Sequence, residues 1–571
     1  MKAFSHRILK QTLVALTLLG LSACNTGGQG TSGTNQGFEL SVLVGSALHD
    51  FCEAAAEQFN AQRPQLEAGE AFYVVCDAAG SGDVVSQVLS HAQQLQSGTL
   101  SNDQEGLPTM ISVDGEIYHS QLIFQMEQLF PGQGYVPQIT DAPLVAFSPM
   151  VFMVQEDLAS GLDSVDNLFV ALTTAETHQD LEATSPAQKI HYVHTAPTRS
   201  NSGLQTLVAQ FAAVSGKRPE DITASDVSAH QTDIQKIQDK ITRYGVSTNS
   251  LAQAMAQNGP FWASVGSVYE SSVIAVNSSL EPGQPKYRAV YPKSTFTSNM
   301  RGILLNTPWV SDEEQAAAAQ FLDYWQQDDV QALAADLGLR PGKPGLSLGN
   351  KFSPEFGVDP QASYDSYRPP EPAVVEAMMT TWSDFAKKPS LVVIVVDSSG
   401  SMEGNKLPAV QNTLQTYLNT LGPKDQVALI DFDDDIRSPV PADGSASGQQ
   451  QGLNFINSLQ AEGGTRLYDA SLTARNWLQE NLRENAINAV LVLTDGDDSG
   501  SSIRLDALLT ELKESDFSTD ERIAFFTIGY GDEGDFNPDV LQQLAESTGG
   551  YYAKGDPDTI ARLMQDIQLE F

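Results

Sequence analysis

Five oxygen-bearing side chains in the last third of the chain could together hold a hard divalent cation. Three of them, Asp397, Ser399 and Ser401, occur in Asp397-Ser-Ser-Gly-Ser401, directly after the apolar run Leu391 to Val396. In a turn at a strand's end, alternate side chains can point into one pocket, and such cations need several oxygens at fixed range. One carboxylate and two hydroxyls leave coordination positions open, so further ligands must come from other strand ends. Thr465 follows Gly463-Gly464 just before a helical pattern, and Asp495 follows the strand-like run Ala489 to Thr494. Alone, the first loop reads equally well as a polar turn; the two added residues, in order and at strand ends, make it a coordination site. Mg²⁺ is the first expectation, and Mn²⁺ or Ca²⁺ accept the same oxygen ligands.

The elements that must position these residues are legible. The run Leu391 to Val396 is continuous, as expected for a central parallel strand buried on both faces. Further strand-like runs lie at Val427 to Phe432, Ala489 to Thr494 and Ile523 to Ile528, with helical patterns at 409–421, 452–459, 468–480 and 505–514. That alternation predicts a doubly wound, Rossmann-like α/β domain over 390–571. Together with Gly464-Thr-Arg-Leu-Tyr-Asp-Ala470, Thr527-Ile-Gly-Tyr-Gly531 and Thr548-Gly-Gly-Tyr-Tyr552, the five positions resemble the metal-ion-dependent adhesion site (MIDAS) of von Willebrand factor A (VWA) domains. The resemblance implies that Ser399, Ser401 and Thr465 hold the ion directly and that Asp397 and Asp495 act mostly through water. It also implies a vacant coordination position for the Asp or Glu of a protein partner. The acidic run Asp431-Phe-Asp-Asp-Asp435 ends a strand, where charge discourages edge pairing or could draw a second cation.

The first half alternates short apolar runs with amphipathic stretches, beginning with Leu40 to Val44, 48–60, Phe72 to Cys76 and 84–95. This predicts a parallel sheet covered by helices, with ligands collecting at Gly45-Ser46, Gly80-Ser-Gly-Asp83 and Asp114-Gly115. A second alternating unit opens at Ala146-Phe-Ser-Pro-Met150, includes Thr198-Arg-Ser-Asn-Ser-Gly203, and ends near a strand expected over Tyr269 to Val276. Residues Tyr287 to Lys293 are expected to return to the first unit. The Ser-Pro opening, the Ser/Gly-rich helix start and the Tyr-Glu strand resemble bacterial extracellular solute-binding proteins, a two-lobed periplasmic-binding-protein-like fold. By that resemblance Ser46, Ser81, Ser200, Asn201, Ser202 and Glu270 are candidate contacts to a small solute, although Ser and Asn at helix starts also serve as caps. A Pro-rich passage over 352–372 reads as a linker or a strap across the lobes, and 374–385 as a short helix.

At 571 residues the chain is too long for one core, and about three or four compact units are expected. A formal net charge of -39 argues against nucleic-acid binding, which requires a basic surface. It favours cations and basic or metal-bridged partners, with saline surroundings as the plain alternative. Lys2, His6, Arg7 and Lys10 precede the apolar run Thr12 to Leu21, an export signal too short to span a membrane comfortably. It closes on Leu21-Ser-Ala-Cys24, which resembles the bacterial lipoprotein signal and implies a lipidated Cys24 at the envelope surface, on the plasma membrane or an outer membrane. Cys52 and Cys76 are then the remaining cysteines, and in an oxidising compartment they form a disulfide, two buried thiols being the alternative. The expected organisation is a signal segment over 1–23, a tether over 24–37, a two-lobed region over 38–350, a strap over 351–389 and the VWA domain over 390–571.

No Ser-His-Asp set assembles, the eight histidines do not cluster, and Gly-x-x-x-x-Gly-Lys is absent, so an enzyme is not expected. The leading expectation is a lipid-anchored envelope protein that binds a protein partner through the metal site and carries a sensing or presenting two-lobed region. The alternative is the solute-binding component of an ATP-driven importer with an accessory VWA domain.

Overall fold

Leu40, Val42 and Val44 are fully buried along one face of the strand Phe38–Gly45, the centre of the first lobe. In this computed structural model, which describes residues 37–100, 106–519, 522–531 and 534–571, that strand pairs in parallel with Phe72–Ala79 and Met110–Ser112. Ile303–Leu304 adds an antiparallel edge, and the helices His49–Ala61, Ser81–Ser97 and Glu116–Leu129 follow the three parallel strands. The expected signal segment, Cys24 and all of the expected tether except Gly37 lie outside the described residues.

The second lobe is built on a longer mixed sheet in the order Thr297–Arg301, Leu144–Gln155, Val265–Tyr269, Tyr192–Thr195, Ile241–Gly245. Its twelve-residue strand Leu144–Gln155 is one of the crossings between lobes. Val145 and Ala146 at its start pack with the first lobe's Phe51 and Trp325, whereas Val151 and Met153 pack with Trp262 and Tyr287 of the second.

Two expectations are corrected here. The return crossing is made by Thr297–Arg301 and Ile303–Leu304; Tyr287–Val290 stays in the second lobe, antiparallel to Leu144–Gln155. The expected strand over 269–276 ends at Tyr269, and Glu270–Ser279 is a helix whose buried Val273, Ile274 and Val276 imitate a strand in sequence. The strap is ordered: Asp365–Ser366 pairs with Ser294–Thr295, and the helix Pro372–Thr381 continues through a π turn, Trp382–Ala386, into the last domain.

That domain has a six-stranded sheet in the order Val440–Asp443, Gln426–Phe432, Ser390–Asp397, Ile487–Thr494, Ala524–Tyr530, Tyr552–Gly555, parallel except for its first edge. Its strands' N-terminal ends sit against the second lobe. Lys388, just before Ser390–Asp397, donates to the carbonyls of Asp239 and Ile241, and Arg522, just before Ala524–Tyr530, donates to Phe261 O. Arg243 lies 4.6 Å from the Phe526 ring and donates to Gly549 O, to which Trp262 Nε1 also donates. One apolar core runs through both, joining Phe211 and Tyr244 to Trp382, Phe526 and Phe571.

Cys52 on the first helix and Cys76 on the second strand are joined by a disulfide with a Cα–Cα distance of 6.0 Å and a sequence separation of 24. Restricting a loop of that size in the unfolded chain contributes about 3 kcal/mol. Paired Cys52→Ala and Cys76→Ala substitution is therefore expected to lower the stability of the first lobe by about 2–4 kcal/mol, measured by denaturant unfolding against the oxidised wild type.

Candidate functional site

The central strand of the last domain lies between Gln426–Phe432, the next strand in the chain, and Ile487–Thr494, a later one, so the strand order reverses at its position. A crevice forms outside the carboxyl ends of strands at such a switch point. Asp397 closes the central strand there, fully buried. Ser399 N donates to its Oδ1 at 2.8 Å and Thr494 Oγ1 to its Oδ2 at 2.5 Å, so the carboxylate is fixed from both sides. Ser399 Oγ lies 2.9 Å from Ser401 Oγ, and Ser401 Oγ donates to Asp495 Oδ1 at 2.6 Å. Asp495, at the end of the neighbouring strand, is 1% exposed.

Thr465 reaches the same space through its loop. Gly400 N donates to Gly463 O, and Gly463 holds φ +75°, a conformation glycine adopts without strain. A Cβ added to Gly496 would stand 3.4 Å from Thr465 Oγ1 and 3.8 Å from Ser401 Oγ, so a residue with no side chain leaves room between those hydroxyls. All five expected residues thus border one small volume. Its donors are three hydroxyls and two carboxylates, a set suited to a hard cation. Among the described residues no group of three or more His, Cys, Asp or Glu is arranged to hold a metal. Hydroxyls therefore dominate this candidate centre.

Burial pushes the Asp397 carboxyl up to about 6, against the hydrogen bonds from Ser399 and Thr494. Lys406, which spacing gave no reason to single out, donates to Asp495 Oδ2 at 2.7 Å and to Asp535 at 3.2 Å. The rim is exposed and acidic, with Glu403, Glu462, Asp434 and Asp497 around it. Within the run 431–435, Arg437 bridges Asp431 and Asp433, while Asp434 and Asp435 stay exposed.

Between the lobes the expected solute contacts divide. Ser81 accepts from Asp114 N at 3.1 Å, and Asn201 Nδ2, from the second lobe, donates to Asp114 O at 2.7 Å and to Tyr269 Oη at 3.0 Å. Ser46 is exposed in the loop after the first strand. Ser200 and Ser202 turn into the second lobe, where Ser202 shares hydrogen bonds with Thr195 and Thr248 at 2.6 Å each. Glu270 is corrected as a solute contact. Its fully buried carboxylate receives Arg340 at 2.7 and 2.9 Å and the Tyr291 hydroxyl at 2.5 Å, leaving it engaged within the protein.

What fills the cleft is Asp114. Helices starting at His49, Ser81, Glu116 and Asn201 begin around it, and Ala47 N donates to its Oδ2 at 3.3 Å. Helix starts favour an anion, yet burial wins and raises this carboxyl to about 7. The lobes touch where side chains are missing: a Cβ on Gly82 would lie 2.4 Å from Thr198 O, and one on Gly115 2.5 Å from Asn201 Oδ1. The aspartate-containing loop is recognisable in sequence; that its own carboxylate takes the cleft's space is not.

Comparison with known proteins follows the same division. A family model described as bacterial extracellular solute-binding protein matches residues 54–363, and one described as von Willebrand factor type A domain matches residues 392–567. Human inter-alpha-trypsin inhibitor heavy chain H4 is 32% identical over 192 residues, 32% of this chain and 20% of the relative. The chain spans about a fifth of the length of such curated relatives. Among solved structures, a von Willebrand factor type A protein from Catenulispora acidiphila has 20% identity and a TM-score of 0.28, covering 32% of this chain and 43% of that one. The sulfate-binding protein SubI from Mycobacterium tuberculosis H37Rv has 17% identity and a TM-score of 0.37, covering 56% of this chain and 92% of that one.

An acid whose folded pKa is raised costs stability as pH climbs from its unfolded value to its folded one, because the unfolded chain releases the proton first. Asp114 is thus expected to cost stability progressively between about pH 4 and pH 7, at about 1.4 kcal/mol per unit. Asp114→Asn should unfold at higher denaturant than wild type at pH 8 and approach it near pH 4. A gain independent of pH would contradict this assignment.

Proposed function

The chain belongs to the bacterial extracellular solute-binding proteins and carries a VWA domain behind that region, and on that premise we propose that it is an exported envelope lipoprotein that binds a protein partner through a divalent cation. The observation that carries this reading is the line of oxygens Ser399 Oγ, Ser401 Oγ and Asp495 Oδ1, spaced 2.9 and 2.6 Å, beside Thr465 Oγ1 and above the fixed carboxylate of Asp397. Ser399, Ser401 and Thr465 would hold the ion, Mg²⁺ first, with Asp397 and Asp495 supplying charge behind them. Bound there, the cation supplies a strongly electropositive position that a carboxylate from outside can join, because its nearest ligands are neutral hydroxyls.

The rest of the molecule supports display of that site. The docking surface lies at the N-terminal ends of the strands and the candidate centre at their C-terminal ends, so the acidic rim faces away from the lobes. The two-lobed region serves as a platform, and Cys24 with its lipid as the anchor. Among the described residues no helix is long and apolar enough to cross a membrane. An importer component must open its cleft to a free solute. The packing of Asp114 against Ser81 and Asn201 gives that reading no support.

Asp397→Ala in the full chain should abolish Mg²⁺-dependent capture of envelope proteins while leaving the unfolding curve of the two-lobed region in place. Capture that survives both this change and a chelator would refute the proposal. Lys406→Met removes a competing cation from Asp495 and should tighten Mg²⁺ binding several-fold, about 1 kcal/mol, in calorimetric titration.

A further inference from the structure

The second lobe contains a cavity of about 370 Å³ that none of the functions above uses. It lies outside the cleft that Asp114 fills, further along the helix Asn201–Ser215, whose Gln205, Thr206 and Ala209 line it. Two edge-to-face aromatic pairs line it, Phe152 with Phe169 at 5.1 Å and Phe296 with Tyr367 at 5.3 Å between ring centroids. Tyr367 comes from the strap. Its N–H donates to Thr295 O at 2.9 Å, and the Arg218 guanidinium lies 5.7 Å from its ring, so the strap is fixed as one wall.

The polar groups of the lining fall into two sets. Asp163, Asp166 and Lys293 are exposed at the rim, and Lys293 pairs there with Asp166. Inside, Gln205 and Thr206 are 1% and 2% exposed, and Gln205 Oε1 and Thr206 Oγ1 find no hydrogen-bond partner among the described residues. Buried polar atoms are ordinarily paired, and leaving two adjacent ones unpaired on a cavity wall is costly. A cavity with an apolar body and a few converging polar atoms is the usual form of a small-molecule site. No charged side chain lines its interior, which disfavours a charged guest.

We propose that this cavity binds a small neutral molecule with an aromatic or similarly flat apolar body and one hydroxyl-type group, the body between the two ring pairs and the hydroxyl on Gln205 and Thr206. The hydroxyl donates to Gln205 Oε1 and accepts from Thr206 Oγ1, which satisfies both orphaned atoms. The strap contributes Tyr367, so occupancy is expected to stiffen the passage that leads into the VWA domain.

The test uses the full chain with p-cresol and toluene, which share a ring and differ in the hydroxyl, read by calorimetry and by ligand-observed NMR. Wild type should bind p-cresol saturably and prefer it to toluene by about tenfold, the discrimination expected of a site built to pair a hydroxyl. Gln205→Leu should reduce that preference to less than about threefold while toluene still binds. Ala209→Phe, which fills the cavity from the same helix, should remove both. Val165→Trp at the half-buried rim is a second block should the first variant fail to fold, with thermal unfolding confirming the fold of each. The proposal is overturned if p-cresol shows no saturable binding to wild type, if wild type does not prefer it to toluene, or if binding persists in a folded blocked variant.

Discussion

A guanidinium that is 12% exposed must be paired, and Arg199 draws its partners from two other bodies. Asp83 at the start of a first-lobe helix meets it at 2.8 Å, and Asp566 on the last helix of the VWA domain meets it from the other side. Arg199 itself belongs to the second lobe and stands immediately before the helix that carries Asn201. Its carbonyl accepts from Gly82 N at 2.9 Å, so backbone and side chain grip the first lobe together. Burial raises the carboxyls of both Asp83 and Asp566, and the arginine opposes that rise in each case. Separating the lobes would strand Asp83, and lifting the last domain away would strand Asp566.

That constraint makes sense of the closed cleft. In a solute-binding fold the helix starts facing the cleft are a ready place for an anion, and here the chain supplies its own carboxyl to it. Asp114 fills the space from the first lobe while Asn201 reaches its backbone carbonyl from the second, so closure is held by internal contacts. The second junction, around Gln238, works similarly. Its Oε1 accepts from both Tyr244 and Trp382, the latter from the π turn leading into the VWA domain, and Tyr244 in turn accepts from Lys388 N. Lobe, strap and last domain thus share a buried polar network as well as an apolar core.

The residues of the candidate metal site were readable because the loop's oxygen-bearing side chains sit at alternate positions directly after an unmistakable buried strand, and because Thr465 and Asp495 repeat the logic at other strand ends. The helix Asp312–Trp325 opens on a capping box of Ser311 and Glu314, a local start signal that a sequence displays directly. Val440–Asp443 and Tyr552–Gly555 were not readable, since four-residue edge strands are too short to show a period. Glu270 was misplaced because β-branched residues after it suit strand and buried helix alike, and because its partner Arg340 lies 70 residues away. Lys406, Arg199 and the cavity beneath Tyr367 depend on long-range packing, which leaves no local pattern to find.

The separation of the VWA domain's two ends has a mechanical consequence. On the proposed reading, a partner held at the loop after Asp397 would pull on the end of the central strand, while Lys388 at its beginning is fastened to the second lobe through Asp239 and Ile241. Tension applied at the rim must therefore run lengthwise along Ser390–Asp397, whose flanks are hydrogen-bonded to parallel neighbours on both sides. Bonds loaded in that direction share the force and resist together, whereas a peeled edge yields one bond at a time. A pull at the outer rim would thus pass into the body of the lobes.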